Sequence, residues 1–116
     1  MTRLAAFDKF CAGLPGSHMV VQWGGSHVHK VGAKMFAVGG GFPGEDAYVF
    51  KATPLAFQIL REQGQATRAP YLPRGNWLRV EGDAMSRKEL FVHIEQSYRL
   101  IAASLTKAQR AELGLG

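Results

Sequence analysis

Aromatic and cationic side chains are interleaved over residues 69–82, Ala-Pro-Tyr-Leu-Pro-Arg-Gly-Asn-Trp-Leu-Arg-Val-Glu-Gly. Tyr71 and Trp77 carry rings that can stack on a nucleobase, and Arg74 and Arg79 carry guanidiniums that can hold a phosphate. The same combination also pins an ordinary loop to a core, with the ring buried beside a solvated cation. Arg68 adds a third guanidinium beside this segment. A second basic group is formed by Lys30 and Lys34, which flank Gly32-Ala33. A turn there lets both ammonium groups project from one hairpin tip and track phosphates as point charges. The competing reading is that these lysines only keep a strand turn soluble, and that Trp77 packs under the long C-terminal helix, at least half buried.

Other chemistries find less support. His27 and His29 alternate on one strand face, a spacing that could bring two imidazoles to a metal. A zinc site needs three or four ligands, and no carboxylate or cysteine is adjacent in sequence, so a solvated strand face is the expectation and no metal is assigned. His18, starting a strand, and His93, within a helix, read as structural. None of the serines sits in a G-x-S-x-G elbow, Ser86 is explained as a helix cap, and Ser97 falls on a packing face. Cys11, the single cysteine, lies on an apolar helical stripe, which suits an inert buried thiol rather than a nucleophile. Paired carboxylates are confined to Glu45-Asp46 in a loop and Glu81/Asp83 at a strand end. Neither catalysis nor a cofactor is expected.

The whole composition sets bounds on these readings. Fourteen Lys and Arg against nine Asp and Glu give a net charge of +5 and a pI near 9.7, which favours an anionic partner, nucleic acid foremost. The cations are spread along the chain rather than massed in one block. With 47% hydrophobic and 20% charged residues over 116 positions, the chain suits one globular domain spanning 1–116 with a core of its own. The single cysteine excludes an internal disulfide. No apolar run is long enough to span a membrane, and the N-terminus lacks the apolar block of a signal peptide, so a cytoplasmic monomer or weak dimer is expected.

The elements that must position these residues follow from periodicity and caps. Thr2 caps a helix to about Gly13, with Leu4, Phe7, Cys11 and Leu14 on one face. Strands are expected near 18–23, 27–31, 34–39 and 47–51, separated by Gly24-Gly25, Gly32-Ala33 and a flexible connection over Gly39–Gly44. Thr53-Pro54 opens a short helix closed by Gly64. A strand over 77–80 follows the turn-rich segment. Ser86-Arg87-Lys88-Glu89 is a capping box for the longest helix, whose Leu90, Ile94, Ser97, Ile101 and Leu105 share a face. Thr106-Lys107-Ala108-Gln109 is a second box, starting a terminal helix. The order α-β-β-β-β-α-β-α-α predicts an α+β, two-layer α/β sandwich, an antiparallel sheet with helices on one face.

Placed on these elements, a series of short motifs carries a resemblance. They are Leu14-Pro15-Gly16, Trp23-Gly24, Lys30-Val31-Gly32-Ala33-Lys34-Met35-Phe36, Lys51-Ala52-Thr53-Pro54, Ala69-Pro70-Tyr71, Asn76-Trp77, Ser97-Tyr98 and Leu105-Thr106-Lys107 with Arg110. In this order and spacing the chain resembles the MmcQ/YjbR family over nearly its whole length. The resemblance implies a sandwich of the secretion-chaperone or frataxin-like kind and DNA binding through a pair of wing-like hairpins. Gly39-Gly40-Gly41 and Gly75 depart from it, the latter softening a usually more basic loop. Frataxin-like iron handling does not transfer, because the first helix offers only Asp8 against Arg3 and Lys9 in place of an acidic ridge.

The reading is therefore a small non-catalytic protein that binds nucleic acid, duplex DNA in particular, through Lys30, Lys34, Arg68, Tyr71, Arg74, Trp77 and Arg79. Two alternatives stay open. One is a protein- or peptide-interaction module using the open sheet face or edge. The other is a small-molecule sensor with a pocket between sheet and long helix near Trp23, Tyr71 and Tyr98.

Overall fold

The Thr2 hydroxyl accepts the Ala5 amide and starts α1 (Arg3–Ala12), which the chain leaves at Gly13. Four strands follow: β1 (Ser17–Gln22), β2 (Ser26–Val31), β3 (Lys34–Gly40) and β4 (Ala47–Lys51). Thr53 then caps α2 (Pro54–Glu62), whose first residue is the proline that needs no backbone donor there. The chain continues through β5 (Thr67–Arg68), β6 (Trp77–Glu81), α3 (Arg87–Ala103) and α4 (Lys107–Glu112). The computed structural model describes residues 2–40, 46–72 and 74–115. All strands pair antiparallel in one six-stranded sheet of order β1-β2-β3-β4-β6-β5.

The α+β class and the element order stand as expected, with one addition. β5 is two residues long, too short to show any alternation in sequence; its pairing with β6 is what makes it a strand.

The helices pack on a single face of the sheet. Phe7 of α1 meets Tyr48 with ring centroids 5.0 Å apart. His93 of α3 stacks on Phe50 at 5.5 Å, and Tyr98 meets Phe36 edge-on at 5.3 Å. Leu90, Ile94, Ser97, Ile101 and Leu105 are all buried, as the helical spacing requires. Gly39 permits the close approach of α1: a Cβ there would lie 2.3 Å from the Phe7 ring. Gly39 and Gly40 accordingly belong to β3 rather than to a loose connection. The remainder of that connection, Gly41–Gly44, and Glu45 lie outside the described residues.

A bulge between β2 and β3 sets Phe36 out of register, since His29 pairs with Ala37 and Lys30 with Met35. Ser97, fully buried on α3, repairs the irregularity. Its hydroxyl donates to the Phe36 carbonyl at 2.6 Å and accepts the Lys51 amide at 2.9 Å. Thr106 and Gln109 form the reciprocal capping box in full. At Ser86 only half of the expected box is made: the hydroxyl accepts the Glu89 amide, and the Glu89 carboxylate accepts from that hydroxyl instead of from the backbone.

Candidate nucleic-acid interface

Strand alternation sorts the basic residues between the two faces. Tyr48, Phe50, Leu78 and Val80 point to the helices, so Val49, Lys51, Trp77 and Arg79 point away from them. Lys30, one residue before Val31, shares this helix-free face. Val31 and Lys34 are the pair that flanks the Gly32-Ala33 turn, so Lys34 lies on the other face. Its ammonium donates to the Ser104 carbonyl at 3.2 Å and hydroxyl at 3.0 Å, at the negative end of the α3 dipole. The two lysines therefore serve opposite faces instead of sharing one tip.

Arg68 pairs with Leu78 and so also faces the helices. Its guanidinium stands 5.1 Å from the Phe57 ring centroid of α2, with Arg61 at 4.9 Å. Arg79 lies on the helix-free face, where it forms an ion pair with Glu81 and keeps its side chain largely covered. Arg74 is exposed in the β5–β6 connection. Lys51, which sequence reasoning did not select, joins this face; its ammonium is 5.9 Å from the Trp77 ring centroid. Trp77 is buried, at 9% exposure. Alternation puts it on the face opposite α3, so the long helix is not what covers it.

The same face carries a cleft of about 450 Å³. Val38, Ala47 and Val49 of the two central strands form its floor, with Arg79 beside them. Trp23, from the β1–β2 turn, and the Pro70–Leu72 segment, from the β5–β6 connection, rise from the two halves of the sheet. Trp23 and Tyr71 are 61% and 90% exposed. They are also the non-glycine residues with positive φ among those described, at 49° and 65°. Such conformations cost on the order of 1–3 kcal/mol each and concentrate at functional sites. Tyr98 does not share this cleft: its hydroxyl donates to the Pro15 carbonyl at 2.5 Å on the helix side. A pocket joining Trp23, Tyr71 and Tyr98 between sheet and long helix is thus not formed. The signal in sequence was a tryptophan placed directly before Gly24-Gly25, where a turn exposes whatever it carries.

Comparison with known proteins now bears on this arrangement. The YjbR family model matches residues 12–100. The chain belongs to the YjbR family. Its fold is similar to the crystal structure of Deinococcus radiodurans protein DR2400, a DUF419 domain, with a TM-score of 0.81 and 24% identity over 99% of this chain and 92% of that one. No curated protein matches.

Within this YjbR domain, the histidine strand is not a solvated face. His27 Nδ1 lies 2.7 Å from one oxygen of Asp8, and His29 Nε2 lies 2.8 Å from the other. A carboxylate only accepts, so each imidazole donates an N–H. The carboxylate comes from α1, 19 residues before His27 in sequence, which is why local spacing did not show it. His29 is buried, and its Nδ1 has no hydrogen-bond partner among the described residues. Burial holds the His29 pKa below the ordinary value, against the opposing pull of Asp8. Burial lowers His93 as well, and pushes the Cys11 thiol and the Tyr48 phenol up. No group of three or more His, Cys, Asp or Glu placed to hold a metal occurs among the described residues. The trio ties α1 to β2.

Proposed function

We propose that this YjbR protein is a non-catalytic nucleic-acid-binding domain that uses the helix-free face of its sheet. The observation that carries the reading is the gathering of Lys30, Lys51 and Arg79 on that face, with Arg74 on the adjoining loop. A net charge of +5 supports an anionic partner. A six-stranded surface on which none of the described residues forms a helix offers a broad platform on which a backbone can lie. Cations spread across it favour phosphate contacts, which give affinity with little dependence on sequence.

Fluorescence anisotropy with labelled random-sequence DNA, titrated over a range of salt, tests the proposal. Binding should weaken linearly in log K against log salt, by close to 0.9 per phosphate contact on duplex. Association that is absent at low salt, or that persists unchanged at high salt, contradicts it.

A second reading rests on the sheet edge. Among the described residues β1 pairs only with β2, and its Met19 and Val21 are 45% and 58% exposed. Such an edge suits addition of a peptide strand, and this association would survive high salt.

A further inference from the structure

We infer that the cleft between Trp23 and Tyr71 receives an unpaired base, so that the protein prefers single-stranded to duplex nucleic acid. This rests on the nucleic-acid reading and adds to it the form of the ligand. The cleft falls within the size range of small-ligand sites, at about 450 Å³. Its floor of Val38, Ala47 and Val49 is made by adjacent strands and is apolar. A planar ring can lie on it with its face against aliphatic side chains. Trp23 and Tyr71 approach from the two sides of that floor and supply surfaces for stacking. Both rings are held out to solvent by left-handed backbone conformations, at φ 49° and 65°. The Ser26 hydroxyl donates to the Trp23 carbonyl at 3.4 Å, bracing the turn.

The surrounding charge selects the occupant. Lys30 and Lys51 lie on the same face of the sheet as the cleft, Arg74 stands exposed in the β5–β6 connection that supplies Tyr71, and Arg79, paired with Glu81, lines the cleft itself. An apolar slot on a face that also carries Lys30 and Lys51 fits a base carried on a phosphate chain better than an uncharged ring. Bases of a duplex are already stacked, and only an extruded base can enter a concave slot. A single strand presents its bases at no such cost.

Glycine substitution makes the test clean. Trp23→Gly and Tyr71→Gly remove the rings while placing at each position the residue that tolerates positive φ, so the variants should melt no lower than the parent. Binding of the full-length parent and variants to an oligo-dT strand, a duplex of equal length and free thymidine monophosphate is read by anisotropy and by tryptophan quenching. The parent should favour the strand over the duplex. Each variant should lose about tenfold in affinity for the strand and keep its duplex affinity and salt slope. Trp23→Gly should also abolish the quenching. Equal losses on strand and duplex, or no loss on either, overturn the base cleft while leaving the phosphate reading intact. Thymidine monophosphate bound as tightly as the strand assigns the cleft to a free nucleotide and overturns it too. Absence of binding to any of the three removes both this inference and the reading beneath it.

Discussion

At the scale of single residues, His29 and Lys34 show what local sequence conceals. His29 is buried against Phe7 and bonded to Asp8 from another element, and its pKa is lowered because burial outweighs that bond. The unfolded chain therefore binds the proton more readily than the folded one. Stability contributed by neutral His29 is complete above the ordinary histidine value, about 6.5, and is lost as pH falls through it. The melting temperature should drop between pH 7.5 and 5.5, and His29→Gln should remove part of that dependence, the rest belonging to His93, which burial also lowers; a rise on acidification would mean that charged His29 paired with Asp8 dominates. Lys34 makes the matching point for the basic hairpin. Because it holds Ser104 at the end of α3, Lys34→Ala should cost about 0.3–1 kcal/mol of stability without changing the salt slope of DNA binding. Lys30→Ala should do the reverse, flattening that slope by close to one unit and leaving thermal stability within about 0.5 kcal/mol. Equal effects from the two lysines would contradict their assignment to opposite faces.

Most elements were legible in sequence because each carries its own start and stop signals. Thr2, Thr53, Ser86 and Thr106 all cap helices where their types and spacing say they should. The failures occur where a long-range partner decides. Gly39-Gly40 reads as a turn but lies in β3, because Phe7 occupies the space above Gly39. Gly39→Ala should therefore destabilise by about 1–3 kcal/mol through overpacking, measurable by urea unfolding; a neutral result would mean that α1 can shift away. Ser97 reads as one more position on a packing face, whereas its hydroxyl satisfies two backbone groups around the β2–β3 bulge. Ser97→Ala leaves the Lys51 amide and the Phe36 carbonyl unpaired in the interior. A loss of about 1–3 kcal/mol is expected, and retention of the parent midpoint would show that another partner replaces the hydroxyl.

At the scale of the whole molecule, the decisive feature is the division between a face covered by α1 and α3 and a face without helices. Sequence periodicity shows that such a division exists, but face assignment depends on register. A shift of one residue moves every side chain to the other side, and the turn at Gly32-Ala33 places Lys30 and Lys34 apart by just that step. Trp23 and Tyr71 are far apart in sequence, and they line one cleft only because the turn after β1 and the connection after β5 both reach over the central strands. The most direct test of the open-face account is an amide chemical-shift titration of the isotope-labelled protein with DNA at low salt. Shifts should concentrate at Lys30, Lys51 and Arg79, in the β1–β2 turn and along the segment from Pro70 to Trp77, while α1 and α3 stay unchanged. Shifts confined to α1 and α3, or to the outer edge of β1, would contradict it.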